Sequence, residues 1–219
     1  MAKRKGMSKK ELRAPDEFQA FILELTEKYG NYWKVALAGL IIVLLIPVGI
    51  TVYNYYKNNK ENQAAMQYSM LLNKLNMDKD SGKKLKDVES SINKFKGTSI
   101  YYQVLLLKGE ILYNNKKYKD AIDVFNEVIS DSDRDEFKSS AKLDKGICYF
   151  EMNNLKKAEE IFSNLTNDII VSADAKYYLA LTYEKEGNFM KAKSYYQEIV
   201  DNAKDYPFYK IAELKLETL

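Results

Sequence analysis

The sequence predicts an all-α protein: a right-handed solenoid of paired antiparallel helices, preceded by a single transmembrane helix. Three observations predict it. The pattern of residues 102–129 returns in phase at 139–166 and again at 173–200. Residues 35–56 carry no charge, with Tyr32 and Trp33 before them and Tyr53, Tyr55 and Tyr56 at their far end. The chain as a whole is polar, with a mean hydropathy of −0.44, and no second uncharged run approaches the length of a span.

Composition removes several function classes. The net charge of +3 is spread through mixed Lys and Asp/Glu, so the concentrated basic face of a nucleic-acid binder is absent. No histidine is present, which takes away the commonest general base and the commonest metal ligand. The single cysteine, Cys148, excludes an internal disulfide. Cys148 lies between Ile147 and Tyr149 in an apolar helix, where a buried, inert thiol is expected. No glycine-rich phosphate loop occurs, and no cofactor is expected. The acidic run DSDRDE (131–136) begins like a calcium loop but lacks its glycine and distal glutamate, so it reads as a solvated turn. The chain is expected not to be an enzyme.

The elements follow in order. Residues 1–14 form a basic tail with Lys3, Arg4, Lys5, Lys9, Lys10 and Arg13. Residues 15–30 read as a short amphipathic helix. Pro15, Asp16 and Glu17 suit its first turn, Phe18, Phe21, Ile22, Leu25 and Tyr29 share one face, and Gly30 suits its end. Its apolar face would lie on lipid head groups or against a partner. Residues 33–56 are the span, near the ~20 residues that a helix needs to cross hydrocarbon. A core helix of this length would carry a polar face, and a cleaved signal would be followed by a small-residue site; neither is found. Tyr32, Trp33, Tyr53, Tyr55 and Tyr56 suit the two membrane interfaces. The basic excess before the span places the N-terminus in the cytoplasm and the remainder across the membrane, although Lys and Arg immediately beside the span are nearly balanced.

Residues 61–219 form the repeat domain. Its N-terminal cap, 61–97, is a helix over 61–75, a polar loop or frayed helix start over 76–87, and a second helix ended by Gly97. Three full repeats follow at about 102–134, 139–172 and 173–205, and 206–219 supplies a closing helix. Each repeat has a small residue in its first helix (Gly109, Gly146, Ala180) and a larger one three places on (Leu112, Tyr149, Tyr183). A turn with Asn or Gly comes next: Asn114-Asn115, Asn153-Asn154, Gly187-Asn188. Then come Ala121, Ala158 and Ala192, spaced by 37 and 34 residues, and an aromatic four further on: Phe125, Phe162, Tyr196. Small residues let two helices approach closely, and the aromatic fills the gap between hairpins.

This pattern resembles the tetratricopeptide repeat, although the late-repeat proline is missing. That resemblance implies a concave face lined by the first helices. The phasing places Leu106, Glu110 and Tyr113, then Leu143, Ile147 and Phe150, then Tyr177, Leu181 and Glu184 along it. Leu106/Glu110 and Leu143/Ile147 do not match the Lys and Asn pattern of repeats that clamp a chaperone C-terminus. A hydrophobic extended or helical segment suits such a face. The chain's own C-terminal helix is a competing occupant.

Basic tail, short helix, one span and then repeats: this order resembles the YfgM-like family of bacterial inner-membrane proteins. The segment GTSIYYQVLLLKGEILY (97–113) and the closing IAELKLETL also carry the likeness, which runs from about Pro15 to Leu219. The resemblance implies a single-pass inner-membrane protein with a periplasmic repeat domain. It further implies an ancillary, chaperone-like subunit of the Sec translocon that binds emerging chains or periplasmic chaperones, with no catalytic residues. The alternative is a structural assembly factor of another envelope complex, such as a pilus, outer-membrane or division machine.

Overall fold

The computed structural model describes residues 17–30 and 32–219. The basic tail, Pro15, Asp16 and the Trp33 ring lie outside that description. The chain divides after Asn58 into two compact units.

In the first unit, helix α1 spans Glu17–Tyr29. Phe18, Phe21, Ile22, Leu25 and Tyr29 are all exposed on it. A side chain at Gly30 would put its Cβ 2.3 Å from the Thr26 carbonyl oxygen, so the turn leaving α1 has room only for glycine. Helix α2 begins at Trp33 and runs without interruption to Met77. The sequence reads as two helices here, 33–56 and 61–75, but the structure has one helix of 45 residues. The reason is local: no glycine or proline occurs between Gly49 and Gly82 to end it. Pro47 lies inside the helix, and the Thr51 hydroxyl donates to its carbonyl at 2.8 Å. Among the described residues α2 is the one helix long and apolar enough to cross a membrane, by length and composition. Its most apolar stretch has a mean hydropathy of 2.8 and none of it is buried. Tyr32, Tyr53, Tyr55 and Tyr56 are exposed.

The second unit consists of helices joined by short turns. Asp80 accepts hydrogen bonds from the Gly82 and Lys83 amides and thereby starts α3, Ser81–Ser91, inside the segment read as a loop or a frayed helix start. A 3-10 turn, Ile92–Phe95, and Gly97 at φ +72° then reverse the chain. Glu61, in the last part of α2, accepts from both the Ser99 amide (3.1 Å) and the Ser99 hydroxyl (2.8 Å), supplying donors at the head of α4 with an acceptor. Three helix pairs follow: α4 Ile100–Asn114 with α5 Tyr118–Asp131, α6 Asp135–Glu151 with α7 Leu155–Ser163, and α8 Ser172–Lys185 with α9 Phe189–Asn202. Helix α10, Tyr209–Thr218, packs on α9. Each helix packs on the next, and α4 touches α6 as α6 touches α8, so the first helices form a continuous inner layer.

The repeat signature is a packing code. Ala121, Ala158 and Ala192 are fully buried, as are Phe162 and Tyr196, with Phe125 nearly so. A Cβ on Gly109 would lie 2.3 Å from the Phe125 ring, and one on Gly146 would lie 2.5 Å from the Phe162 ring. The glycines are therefore the sockets for the aromatics.

All three pairs turn through the same hydrogen-bond motif. Lys117, Asn154 and Asn188 amides donate to the carbonyls of Leu112, Tyr149 and Tyr183, five residues back. The left-handed residue of each turn is Lys116 (φ 59°), Asn153 (φ 59°) and Gly187 (φ 78°). In the first repeat the turn centre is therefore Lys116, one place beyond the Asn114-Asn115 pair read from sequence. Lysine tolerates this conformation poorly. Lys116→Gly is expected to stabilise the second unit by about 0.5–1 kcal/mol, read as a rise in thermal midpoint. No rise, or a fall, would mean that the Lys116 side chain contributes contacts that outweigh its strained backbone.

Candidate functional site

The inner layer carries a cavity of about 440 Å³. Five helices line it. Helix α4 contributes Gln103, Leu106, Leu107, Glu110, Tyr113 and Asn114; α6 contributes Asp144 and Ile147; α8 contributes Tyr178. Tyr68, from the last part of α2, and Phe125 complete the lining. The floor is aromatic and aliphatic, and two carboxylates stand in it.

The nine residues read from phasing are not placed alike. Leu106, Glu110, Tyr113 and Ile147 line this cavity together. Leu143, at 8 % exposure, points instead into the core beside Phe162 and Ala175. Phe150 is half-buried, edge-on to Tyr178 with centroids 6.4 Å apart, and the Lys185 ammonium lies 4.5 Å from its ring centre. Tyr177, Leu181 and Glu184 belong to the other end of the inner layer, where the chain's own C-terminal segment packs. Tyr177 stacks on Phe208 at 4.8 Å with rings 12° apart, and Tyr206 meets it edge-on. Lys215 of α10 pairs with Glu184 at 2.5 Å, and the Tyr196 hydroxyl donates to the same carboxylate at 3.0 Å. The third repeat's face is thus covered, while that of the first two is not.

Sequence phasing misses Asp144 and Tyr178. Both occupy one repeat column, Leu107/Asp144/Tyr178, and all three members line the cavity. The signal is a lone acid in an otherwise apolar helical column, one residue from the column chosen.

Asp144 is the electrostatic centre of the site. Burial first, then the charges of Glu110 and Asp174, push its carboxyl up to about 7. Among the described residues neither Asp144 nor Glu110 has a hydrogen-bond or ion-pair partner. Asp174, by contrast, accepts from the Tyr206 hydroxyl at 3.0 Å. Burial raises the Tyr68 phenol, with Glu110 adding to it, and pushes the Tyr113 phenol up to about 12. The rings are therefore neutral hydrogen-bonding groups at physiological pH. Cys148 is fully buried, and burial reinforced by Asp144 pushes its thiol up to about 12, which makes it a poor nucleophile. No group of three or more metal-ligating side chains exists among the described residues.

Helix pairs stacked on a shared inner layer, with a pocket open on that layer, define a helical-repeat solenoid. A family model for a tetratricopeptide repeat-like domain matches residues 28–158, and a tetratricopeptide repeat model matches residues 174–206. The chain belongs to the tetratricopeptide repeat-like family, whose repeats serve as protein-binding scaffolds. Its fold is similar to the crystal structure of a tetratricopeptide repeat protein from Parabacteroides merdae, with a TM-score of 0.54 at 16 % identity. The likeness covers 73 % of this chain and 59 % of that one, so the chain spans less than two thirds of that protein's length. None of the curated proteins matches it.

Proposed function

We propose that this protein is a membrane-anchored docking scaffold that holds a polypeptide segment against the inner face of its first two repeats. The observation that carries this is the unequal cover of that face. The C-terminal segment fills the end at Tyr177 and Glu184, and the cavity at Leu106, Glu110 and Tyr113 keeps its apolar and acidic lining free. The apolar part of α2 acts as a single-pass anchor, with Tyr32, Trp33, Tyr53, Tyr55 and Tyr56 at the interfaces. Anchoring raises the local concentration of the groove beside its partners. The basic tail favours a cytoplasmic N-terminus and a repeat domain across the inner membrane. The likeness to YfgM-like proteins supports a place beside the Sec channel, with emerging chains or periplasmic chaperones as partners.

A photo-reactive residue at Leu106 in the full-length protein in membranes tests this. Crosslinks to channel subunits, secreted chains or periplasmic chaperones are expected, with none from the same probe at buried Leu143. Crosslinks confined to pilus, outer-membrane or division components would move the protein to envelope assembly. Crosslinks only within the chain would overturn the docking reading. Protease protection of residues 59–219 in right-side-out vesicles would overturn the orientation.

A further inference from the structure

We propose that the inner-face cavity seats a basic side chain, Lys or Arg, carried on an otherwise apolar segment of the partner polypeptide. The proposal rests on the docking reading above and specifies its chemistry. Charge complementarity argues for it. Two carboxylates, Glu110 on α4 and Asp144 on α6, line one cavity, and neither has a partner among the described residues. Every other acid on this layer that faces packed chain is engaged: Asp174 by Tyr206, and Glu184 by both Lys215 and Tyr196. The fold thus neutralises or hydrogen-bonds its inner-layer acids where its own chain covers them and leaves two bare where it does not.

The remaining walls fit the rest of such an anchor. The rings of Tyr68, Tyr113 and Tyr178 line the cavity, and aromatic rings attract an ammonium or guanidinium at contact distance. Leu106 and Ile147 suit the methylene stem that basic side chains lay along apolar surface. A volume of about 440 Å³ lies within the usual range for a ligand pocket and admits one long side chain with its backbone at the mouth. An anionic or purely aliphatic anchor would leave both carboxylates without a counter-charge. Burial and mutual repulsion already hold the Asp144 carboxyl well above the usual carboxylate range, and an incoming cation relieves that repulsion.

The test uses full-length protein in nanodiscs and fluorescence anisotropy at pH 8 with three labelled peptides. They share an apolar sequence and differ at one central residue: arginine, citrulline or glutamate. The arginine peptide is expected to bind at least tenfold more tightly than the citrulline peptide, and the glutamate peptide most weakly. In the double variant Glu110→Gln/Asp144→Asn the preference for the arginine over the citrulline peptide should disappear. Equal affinity of the arginine and citrulline peptides for the native protein would overturn the inference yet leave the docking reading standing. A preference that survives the double variant would also overturn it, by placing the cation elsewhere. Competition by a free polyamine as effective as the arginine peptide would overturn the polypeptide assignment. Failure of all three peptides to bind would overturn the docking reading and the inference with it.

Discussion

Replacing Phe162 with alanine is expected to cost about 3–5 kcal/mol, the usual range for emptying a buried aromatic site. The ring is fully buried between the α6–α7 pair and α8, stacks on Tyr178 at 5.5 Å, and sits in the socket left by Gly146. For a domain of this size each kcal/mol lowers the thermal midpoint by about 2–4 °C, so a fall of roughly 6–20 °C should be seen in the helical circular dichroism signal. Gly146→Ala attacks the same socket from the other side. Its new Cβ would lie 2.5 Å from a ring that has no free space to move into, which costs about 1–3 kcal/mol. The two positions should couple. Phe162→Leu shortens the group that the new methyl strikes, so Gly146→Ala/Phe162→Leu should be less damaging than the sum of its parts. Strict additivity would show that the glycine is kept for some reason other than the ring.

Asp144→Asn is expected to stabilise the protein, by an amount that grows from about pH 4 and is complete above about pH 7. The folded state holds the Asp144 proton with an affinity near pH 7, against an ordinary value of 3.8. Between those values the folded state binds the proton more tightly than the unfolded one, so stability falls as pH rises from about 4 to about 7 and levels off above. Asparagine removes the charge and with it this slope. The variant should exceed the native protein by about 2 kcal/mol above pH 7, after allowing for solvent at the open side of the cavity. The gap should narrow as pH falls and close near pH 4. A gap that does not change with pH would show that Asp144 is not strained by its burial. A carboxylate kept at a cost to stability, on a face read as a docking surface, is the kind of exception expected where a fold serves a partner.

Much of this was legible from residues alone. Gly109, Gly146 and Ala180, Ala121, Ala158 and Ala192, and Phe125, Phe162 and Tyr196 identify helix pairs because close packing permits few other choices at those places. Three in-phase copies also fix the order of elements, since each pair can bury its apolar stripe only against the next. The uncharged run before them is equally plain, because length and lack of charge are local properties. Two local features had weak signals: the α3 start at Asp80, a cap inside a polar stretch that left loop and frayed helix start both open, and the turn centre at Lys116, where a lysine does the work of a glycine.

The groove was less legible because a face is a three-dimensional property. A shift of one residue turns a side chain by about 100° around a helix, which is enough to carry Leu143 into the core and bring Asp144 to the surface of the cavity. The sequence alone determined the helix pairs, their order and the apolar run, since these depend on periodicity and residue size along the chain. Only the folded arrangement decided which acids keep a counter-charge. Lys215 reaches Glu184 across 31 residues of sequence and Tyr206 reaches Asp174 across 32, while among the described residues no hydrogen bond or ion pair reaches Glu110 or Asp144. Pairings at that separation depend on where the chain returns in space, and no spacing rule along the sequence contains them.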